Sequence, residues 1–473
     1  MKRYEALAAE VAGSIRAGVF APGARLPSVR QLSRDRGVSP STVFEAYSRL
    51  EADGLARSRP RSGWYVADAP SRLPPTPARA PAPDGEARPV AVSERVFQIL
   101  ASTMSRDVVP LGSAFPSPTL FPLPRLGRLT AKAAIALDPW STTEELTPGS
   151  LALRRQIARR YLVDGVAMDP DAIVVTAGAL EGLNLCLAAT CRPGDAVIVE
   201  SPCFYACLQA LERHGLRAVE VASDPRDGID LEALETAVHR HRPAAAWVMT
   251  NFQNPLGASL SPARKQALVA LATRLRLPLI EDDVYAELFD GRTRPVPTKA
   301  FDAGGWVLHC GSFAKSLAPG YRVGWVAPGR FRDAVARQKL LASLATSVPV
   351  QLGIAALLER GGYEKHLRTL RATFADWRER CAAHVQRHFP DGTRIARPGG
   401  GYFLWVELPA GVDALALQRE AMAAGISLAP GPMFSAARGF AHHLRLNCGH
   451  PPGPALLEAI ARVGRMACAG AEA

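Results

Sequence analysis

Lysine is scarce in this chain, seven residues against forty-nine arginines, so a lysine beside an apolar run is the first place to look for chemistry. Lys315 is the best placed. It follows the run Trp306 to His309 within GSFAKSLAPGYRVGW, with Ser312 three residues before it and Arg322 seven after. Its amine can condense with an aldehyde cofactor, while a nearby hydroxyl and guanidinium hold a phosphate. S-x-x-K alone also serves serine acyl-transfer enzymes, but their companion S-D-N and K-T-G motifs are absent here.

Four further groups fall after other apolar runs. In LPLIEDDVY, Asp282 stands three residues before Tyr285. A buried carboxylate against a pyridine nitrogen keeps such a ring protonated and an electron sink, and a tyrosine hydroxyl can bond the ring's 3-oxygen. Asn254, in NFQNPLG, is placed to reach the same oxygen. Gly178 and Ala179, in TAGALEG, open a helix whose first N–H groups form an anion site suited to phosphate. Phe204 and Tyr205, in ESPCFY, offer a ring to stack on the cofactor. Singly, each also fits a turn, a cap or a core aromatic. It is their joint occurrence in this order that points to a cofactor site.

The elements that must position these residues follow from the pattern around them. Short apolar runs (Ile173 to Thr176, Ala196 to Val199, Ala246 to Thr250, Leu277 to Ile280, Trp306 to His309) alternate with longer segments of helical period. That alternation predicts a largely parallel sheet wrapped by helices, with ligands collecting at the carboxyl ends of its strands. Upstream, seven prolines between Ala69 and Val90 exclude a helix or a central strand. They read as a linker, roughly 3.1 Å per residue if extended. The resulting division is a head over 1–68, a linker over 69–108 and a body over 109–473, split at about 145–328 and 329–473 into large and small subdomains.

Composition narrows the class. With 48% hydrophobic and 21% charged residues the chain can fill two cores. Glu5 and Glu10 interrupt the apolar residues of the first twenty, so no secretory signal is expected, and no run reaches membrane-spanning length. Eight cysteines without a C-x-x-C pair read as reduced core residues. The expectation is a cytoplasmic protein with no metal site and no membrane partner. The formal net charge is +12, and residues 1–66 hold eleven Lys/Arg against six acids, a local +5. Such a segment suits nucleic acid.

Within that basic head, Ser28 is placed to cap a helix over Val29 to Arg34, Gly37 supplies a turn, and Ser39-Pro40 starts a second helix. Val43, Ala46, Tyr47 and Leu50 recur at helical spacing and face inward, leaving Ser41, Thr42, Glu45, Ser48 and Arg49 outward. Downstream, Arg57, Arg59 and Arg61 alternate before Gly63, reading as a β-wing aimed at phosphates. A solvated helical pair with a charged loop is the plainer alternative.

The stretch APGARLPSVRQLSRDRGVSPSTVFEAYSRLEADGLARSRPRSGWYV resembles the winged helix-turn-helix of the GntR superfamily. The likeness implies contact with double-stranded DNA by Arg25, Ser28, Arg30, Ser39, Ser41, Thr42, Arg57, Arg59 and Gly63. From about Leu111 onward the chain resembles a fold-type I aminotransferase, and this head-and-body arrangement is that of the MocR regulators. The fold implied is α/β: a winged helix-turn-helix, a large mostly parallel sheet with helices on both faces, and a smaller C-terminal α+β domain. By that likeness the cofactor is pyridoxal 5'-phosphate. Lys315 bonds its aldehyde, Asp282 pairs the ring nitrogen, and Asn254 and Tyr285 hold the 3-oxygen. Ser312, Arg322, Gly178 and Ala179 take the phosphate, Phe204 stacks, and Arg445 in HHLRLN clamps a substrate carboxylate. Two departures stand out: ELTPGS lacks the tyrosine that many relatives place before Pro-Gly, and the stacking position is phenylalanine rather than tyrosine. The implied function is a homodimeric regulator sensing the cofactor or an amino compound. A working aminotransferase, with Lys315 moving the proton, and a pure dimerisation scaffold are the alternatives.

Overall fold

Three helices and a two-stranded ribbon build the smaller of two units, Met1–Leu73, in the computed structural model; the larger unit is Pro74–Ala473. Residues 3–16, 19–21, 23–52, 55–59, 62–66, 76–77, 83–101, 106–291 and 293–472 are described. In the head, α1 (Arg3–Arg16), α2 (Val29–Arg36) and α3 (Pro40–Ala52) precede β1 (Ala56–Arg59) and β2 (Gly63–Val66). α2 runs to Arg36, two residues beyond the expected end, because Gly37 at φ 61 supplies the left-handed cap. The Ser28 hydroxyl accepts from the Gln31 N–H at 3.1 Å, and the Ser39 hydroxyl from the Thr42 N–H at 3.2 Å, so both helix starts are capped as the sequence implies. Val43, Ala46, Tyr47 and Leu50 are fully buried against Leu7, Val11 and Ile15 of α1 and Trp64 and Val66 of β2. The Tyr47 hydroxyl donates to the Pro27 carbonyl at 2.8 Å, which satisfies the one polar atom of that face. Arg61 lies outside the described residues.

The larger unit is organised by a nine-stranded sheet: β3 (Ala87–Pro89), β4 (Val174–Thr176), β5 (Ala196–Ser201), β6 (Arg217–Asp224), β7 (Gly228–Ile229), β8 (Ala245–Val248), β9 (Leu279–Asp282), β10 (Val307–Ser312) and β11 (Gly324–Ala327). Its order is β3-β6-β5-β8-β9-β10-β11-β4, with β7 beside β6. The run from β6 to β10 is parallel, and β3, β7 and β11 pair antiparallel. Alternate residues of β5 enter different cores: Val197 and Val199 pack with helix Ala179–Thr190, Ala196 and Ile198 with helix Pro262–Leu275. Both faces are covered, which is why these strands read as continuous apolar runs.

Two boundaries differ from the sequence-based division. From residue 87 the segment read as linker is built into the larger unit. β3 pairs with β6, Pro89 sits on an edge strand where its missing N–H costs no ladder bond, and Glu212 accepts from the N–H groups of Val92 and Ser93 that open helix Ser93–Ala101. Helices Arg332–Ala342 and Val348–Glu359, assigned on sequence to the small subdomain, pack on helices of the larger core instead, the first on Ala179–Thr190 and the second on Leu123–Ile135. The small subdomain is an antiparallel sheet of β12 (Arg394–Ile395), β13 (Phe403–Glu407), β14 (Ala429–Pro430) and β15 (His443–Asn447), backed by residues of helices Tyr363–His388, Ala414–Ala423 and Pro454–Glu472. Val109 and Leu111 join this layer, the Val109 N–H donating to the Gly425 carbonyl at 2.8 Å.

Candidate functional site

Asp282 ends β9, Ser312 ends β10 and the loop carrying Asn254 follows β8, three adjacent strands, while Gly178 follows β4 beyond β11, so all four lie at carboxyl ends of strands in one sheet. Lys315, three residues past β10, is 9% exposed. Its Nζ donates to the Ala114 carbonyl at 2.8 Å and stands 4.2 Å from the Phe115 ring centroid. Burial first, then the Arg445 cation, lowers its pKa to about 7, while Asp282 opposes the shift. Asp282 is buried, which raises its pKa to about 7 with Asp283 adding to the rise, and its Oδ1 has no hydrogen-bond partner among the described residues. A buried carboxylate oxygen left unpaired is costly, and a ring N–H is a donor that fits it.

Asn254 joins two of the other groups. Its Nδ2 donates to the Tyr285 hydroxyl at 3.4 Å and its Oδ1 accepts from Arg445 Nη1 at 3.2 Å. Arg445, on β15, is fully buried, with its guanidinium 4.3 Å from the Phe403 ring centroid. Its Nη2 donates to the carbonyls of Gly112 at 2.7 Å and Ser113 at 3.2 Å, and its Nε has no partner among the described residues. Segment 112–115 thus engages both Lys315 and Arg445. Apart from the Phe115 ring, that segment acts through carbonyls, which every residue carries and no sequence pattern marks. Tyr402, also outside the sequence-based set, donates to the Ala114 carbonyl at 3.0 Å.

The phosphate candidates meet where Gly178 and Gly324 approach closely. Gly178 sits at φ 81, and a Cβ there would stand 2.3 Å from Arg322 Nη2. A Cβ on Gly324 would stand 2.6 Å from the Gly178 carbonyl carbon and 2.7 Å from the Ala179 nitrogen. Only glycine permits this close approach. Helix Ala179–Thr190 opens here, so its first N–H groups have no acceptor within the helix. Arg322, itself at φ 49, is exposed and makes only long bonds, 3.4 Å, to the carbonyls of Ala177 and Pro319. The Ser312 hydroxyl is already paired in its own turn, donating to the Val323 carbonyl at 3.2 Å. Phe204 precedes helix Tyr205–Arg213 and packs beside the cluster of Tyr285, Met249 and Tyr402.

In the head, Arg25, Ser28, Arg30, Ser39 and Ser41 are exposed, and Thr42 is half-buried. The hydroxyls of Ser41 and Thr42 each lie 2.8 Å from that of Ser39. Gly63, at φ 107, lets Arg25 lie against the ribbon turn, where a Cβ would stand 3.5 Å from the Arg25 guanidinium. Arg57 is exposed on β1; Arg59 ends that strand, and its side chain lies outside the described residues. Among the described residues no helix is long and apolar enough to cross a membrane, and no cluster of metal-ligating side chains occurs.

These two units define a DNA-recognition head carried by a body of the aminotransferase fold. Residues 3–66 match the family of bacterial regulatory proteins, gntR family, and residues 130–462 match aminotransferase class I and II. The chain is 44% identical over 98% of its length to the uncharacterized HTH-type transcriptional regulator YdcR of Escherichia coli, covering 99% of that protein. It is 28% identical to the probable rhizopine catabolism regulatory protein MocR of Rhizobium meliloti, over 90% of this chain and 85% of that one. In structure it is similar to LysN, the α-aminoadipate aminotransferase of Thermus thermophilus, solved complexed with N-(5'-phosphopyridoxyl)-L-leucine: TM-score 0.69, 26% identity, 81% of this chain and 98% of that one. The chain belongs to the MocR-type regulators, a GntR-type head joined to an aminotransferase class I and II domain.

Proposed function

We propose that the body binds pyridoxal 5'-phosphate in the cleft between Lys315 and Asp282, and that its occupancy, alone or with an amino compound, sets how a homodimer of this regulator engages double-stranded DNA. The carrying observation is the buried Oδ1 of Asp282, unpaired among the described residues, coupled electrostatically to a buried lysine whose pKa is lowered to about 7. The cofactor would supply an aldehyde for an amine and a ring that withdraws electrons. Lys315, largely neutral above pH 7, holds that aldehyde; Asp282 keeps the ring nitrogen protonated; Asn254 and Tyr285 orient the 3-oxygen, with Phe204 against the ring. Arg322 and the helix start at Gly178 and Ala179 hold the phosphate, with Ser312 beside them. Arg445 exchanges the carbonyls of Gly112 and Ser113 for the carboxylate of an incoming amino compound. Segment 112–115 moves when that happens. Thr76, in the sequence-read linker, lines one groove with Phe252, Gly257 and Ser259 of the loop that carries Asn254. That groove supports a route from the cleft to the linker.

A catalytically active aminotransferase is the second reading, favoured by the presence of Lys315 and Arg445 at the same carbonyl segment. The two readings part on turnover: the regulator binds an amino compound without steady release of a keto acid, whereas the enzyme produces one continuously from an amino donor and a keto-acid acceptor. Added cofactor followed by borohydride leaves the cofactor covalently fixed to wild-type protein with a changed absorption band, and Lys315→Ala retains no fixed cofactor and shows only the spectrum of the aldehyde. A Lys315→Ala protein with the wild-type band contradicts the assignment.

A further inference from the structure

Helix α3 has two faces of opposite character. Val43, Ala46, Tyr47 and Leu50 are fully buried, while Ser41, Phe44, Glu45 and Ser48 follow at i, i+3, i+4 and i+7 on the other side. Phe44 is the exception among these polar residues, with 56% of its surface exposed. Its ring stands edge-on to Trp64 of the ribbon, centroids 6.1 Å apart at 80°. Trp64 in turn packs on Tyr47, 5.6 Å away in the head core. One edge of Phe44 is therefore held between helix and ribbon, and the rest of the ring points outward. Arg49 stands at the margin of that face, whereas the residues around Phe44, namely Ser41, Glu45 and Ser48, carry no positive charge, and a phenyl ring has nothing to offer a phosphate, so Phe44 itself is placed for a base edge.

We propose that Phe44 is a specificity residue that packs against a thymine methyl in the major groove, so that each head selects thymine at one position of its half-site. The C5-methyl is the apolar group that a base pair displays on the major-groove edge, and a phenyl ring, lacking donors and acceptors, complements it and nothing else there. Phe44 lies in the second turn of α3, within the N-terminal part that meets base edges when such a helix enters the groove. This inference rests on the reading of the head as DNA-recognising.

The test selects a preferred duplex from a randomised library with the full-length protein, then replaces each thymine singly by deoxyuridine, which removes the methyl and leaves every hydrogen-bonding group. One thymine per half-site is expected to weaken wild-type binding about four-fold on losing its methyl, the worth of one buried methyl group. Phe44→Ala is expected to bind the selected duplex correspondingly less well and to show no methyl dependence at that position. Phe44→Gln, whose side chain still reaches along Trp64, is expected to lose the methyl dependence too, and it serves if the alanine variant fails to fold. A selected site at which no thymine methyl matters to the wild type, or a methyl dependence that persists in Phe44→Gln, overturns the assignment while leaving DNA recognition intact. Failure of the wild type to select any sequence overturns DNA recognition itself, and this inference with it.

Discussion

At the scale of single residues, two buried and electrostatically coupled groups have pKa values that meet near neutrality. Lys315 is lowered to about 7 by burial and by Arg445, and Asp282 is raised to about 7 by burial and by Asp283. The sign gives a prediction. An amine reacts only when unprotonated, so a depressed pKa makes Lys315 reactive from about pH 7 upward, whereas an ordinary lysine gains reactivity until about 10.5. The rate at which cofactor-free protein captures pyridoxal phosphate should therefore rise through pH 7 and then level off, as followed by stopped-flow absorbance; a rate still climbing at pH 9 contradicts the assignment. Gly324 makes a steric prediction, since a Cβ there would stand 2.6 Å from the Gly178 carbonyl carbon. Gly324→Ala should weaken cofactor retention by more than about ten-fold, because even a displacement of about 1 Å at a positioning group has large effects. Equilibrium dialysis measures it. Lys315 was legible because lysine is rare and its neighbours form a pattern. The carbonyls of Gly112, Ser113 and Ala114 that engage it and Arg445 were not, because a backbone acceptor has no residue signature.

At the scale of elements, the capped helices and the buried strands β4, β5, β8, β9 and β10 are legible in sequence, whereas strands formed by pairing at the sheet edge are not. The two capped helices of the head follow from Ser28, Gly37, Ser39 and Pro40, each of which acts on its own backbone neighbours. Ser39→Ala should cost the head about 1 kcal/mol, the usual worth of an N-cap, in a urea titration followed by the fluorescence of Trp64 and the other tryptophans. By contrast β3 hides in a proline-rich segment and becomes a strand only because β6 offers an edge. β6 itself is interrupted in sequence by Glu220, which is buried because the N–H groups of Ala436 and Ala437 bind its carboxylate from across the fold, at 3.3 and 3.0 Å. Phe44 was missed for a related reason. Helical periodicity identifies what must be buried, and says nothing of why an aromatic ring stays outside.

At the scale of the whole molecule, the larger unit carries apolar side chains that water does not favour. Leu180, Leu340, Leu341 and Leu344 are exposed around the buried Lys339, which pairs with Glu181 at 2.7 Å, and the same helix start carries Ala179 of the phosphate cradle. If the proposed homodimer forms, a patch of this kind is where a second copy of the chain would pack. Leu341→Asp should shift the protein toward monomer in sedimentation velocity and weaken cofactor retention at the same time. A dimer with unchanged retention would remove this surface from the account. The most direct test of the central claim measures binding of the full-length protein to its selected duplex near physiological ionic strength, with and without pyridoxal phosphate, for wild type and Lys315→Ala. Salt must be fixed because arginine-phosphate contacts alone imitate affinity at low ionic strength. The account predicts that the cofactor changes wild-type affinity or half-site preference and leaves Lys315→Ala unmoved; identical binding by the wild type in both states, or an equal response from Lys315→Ala, contradicts it.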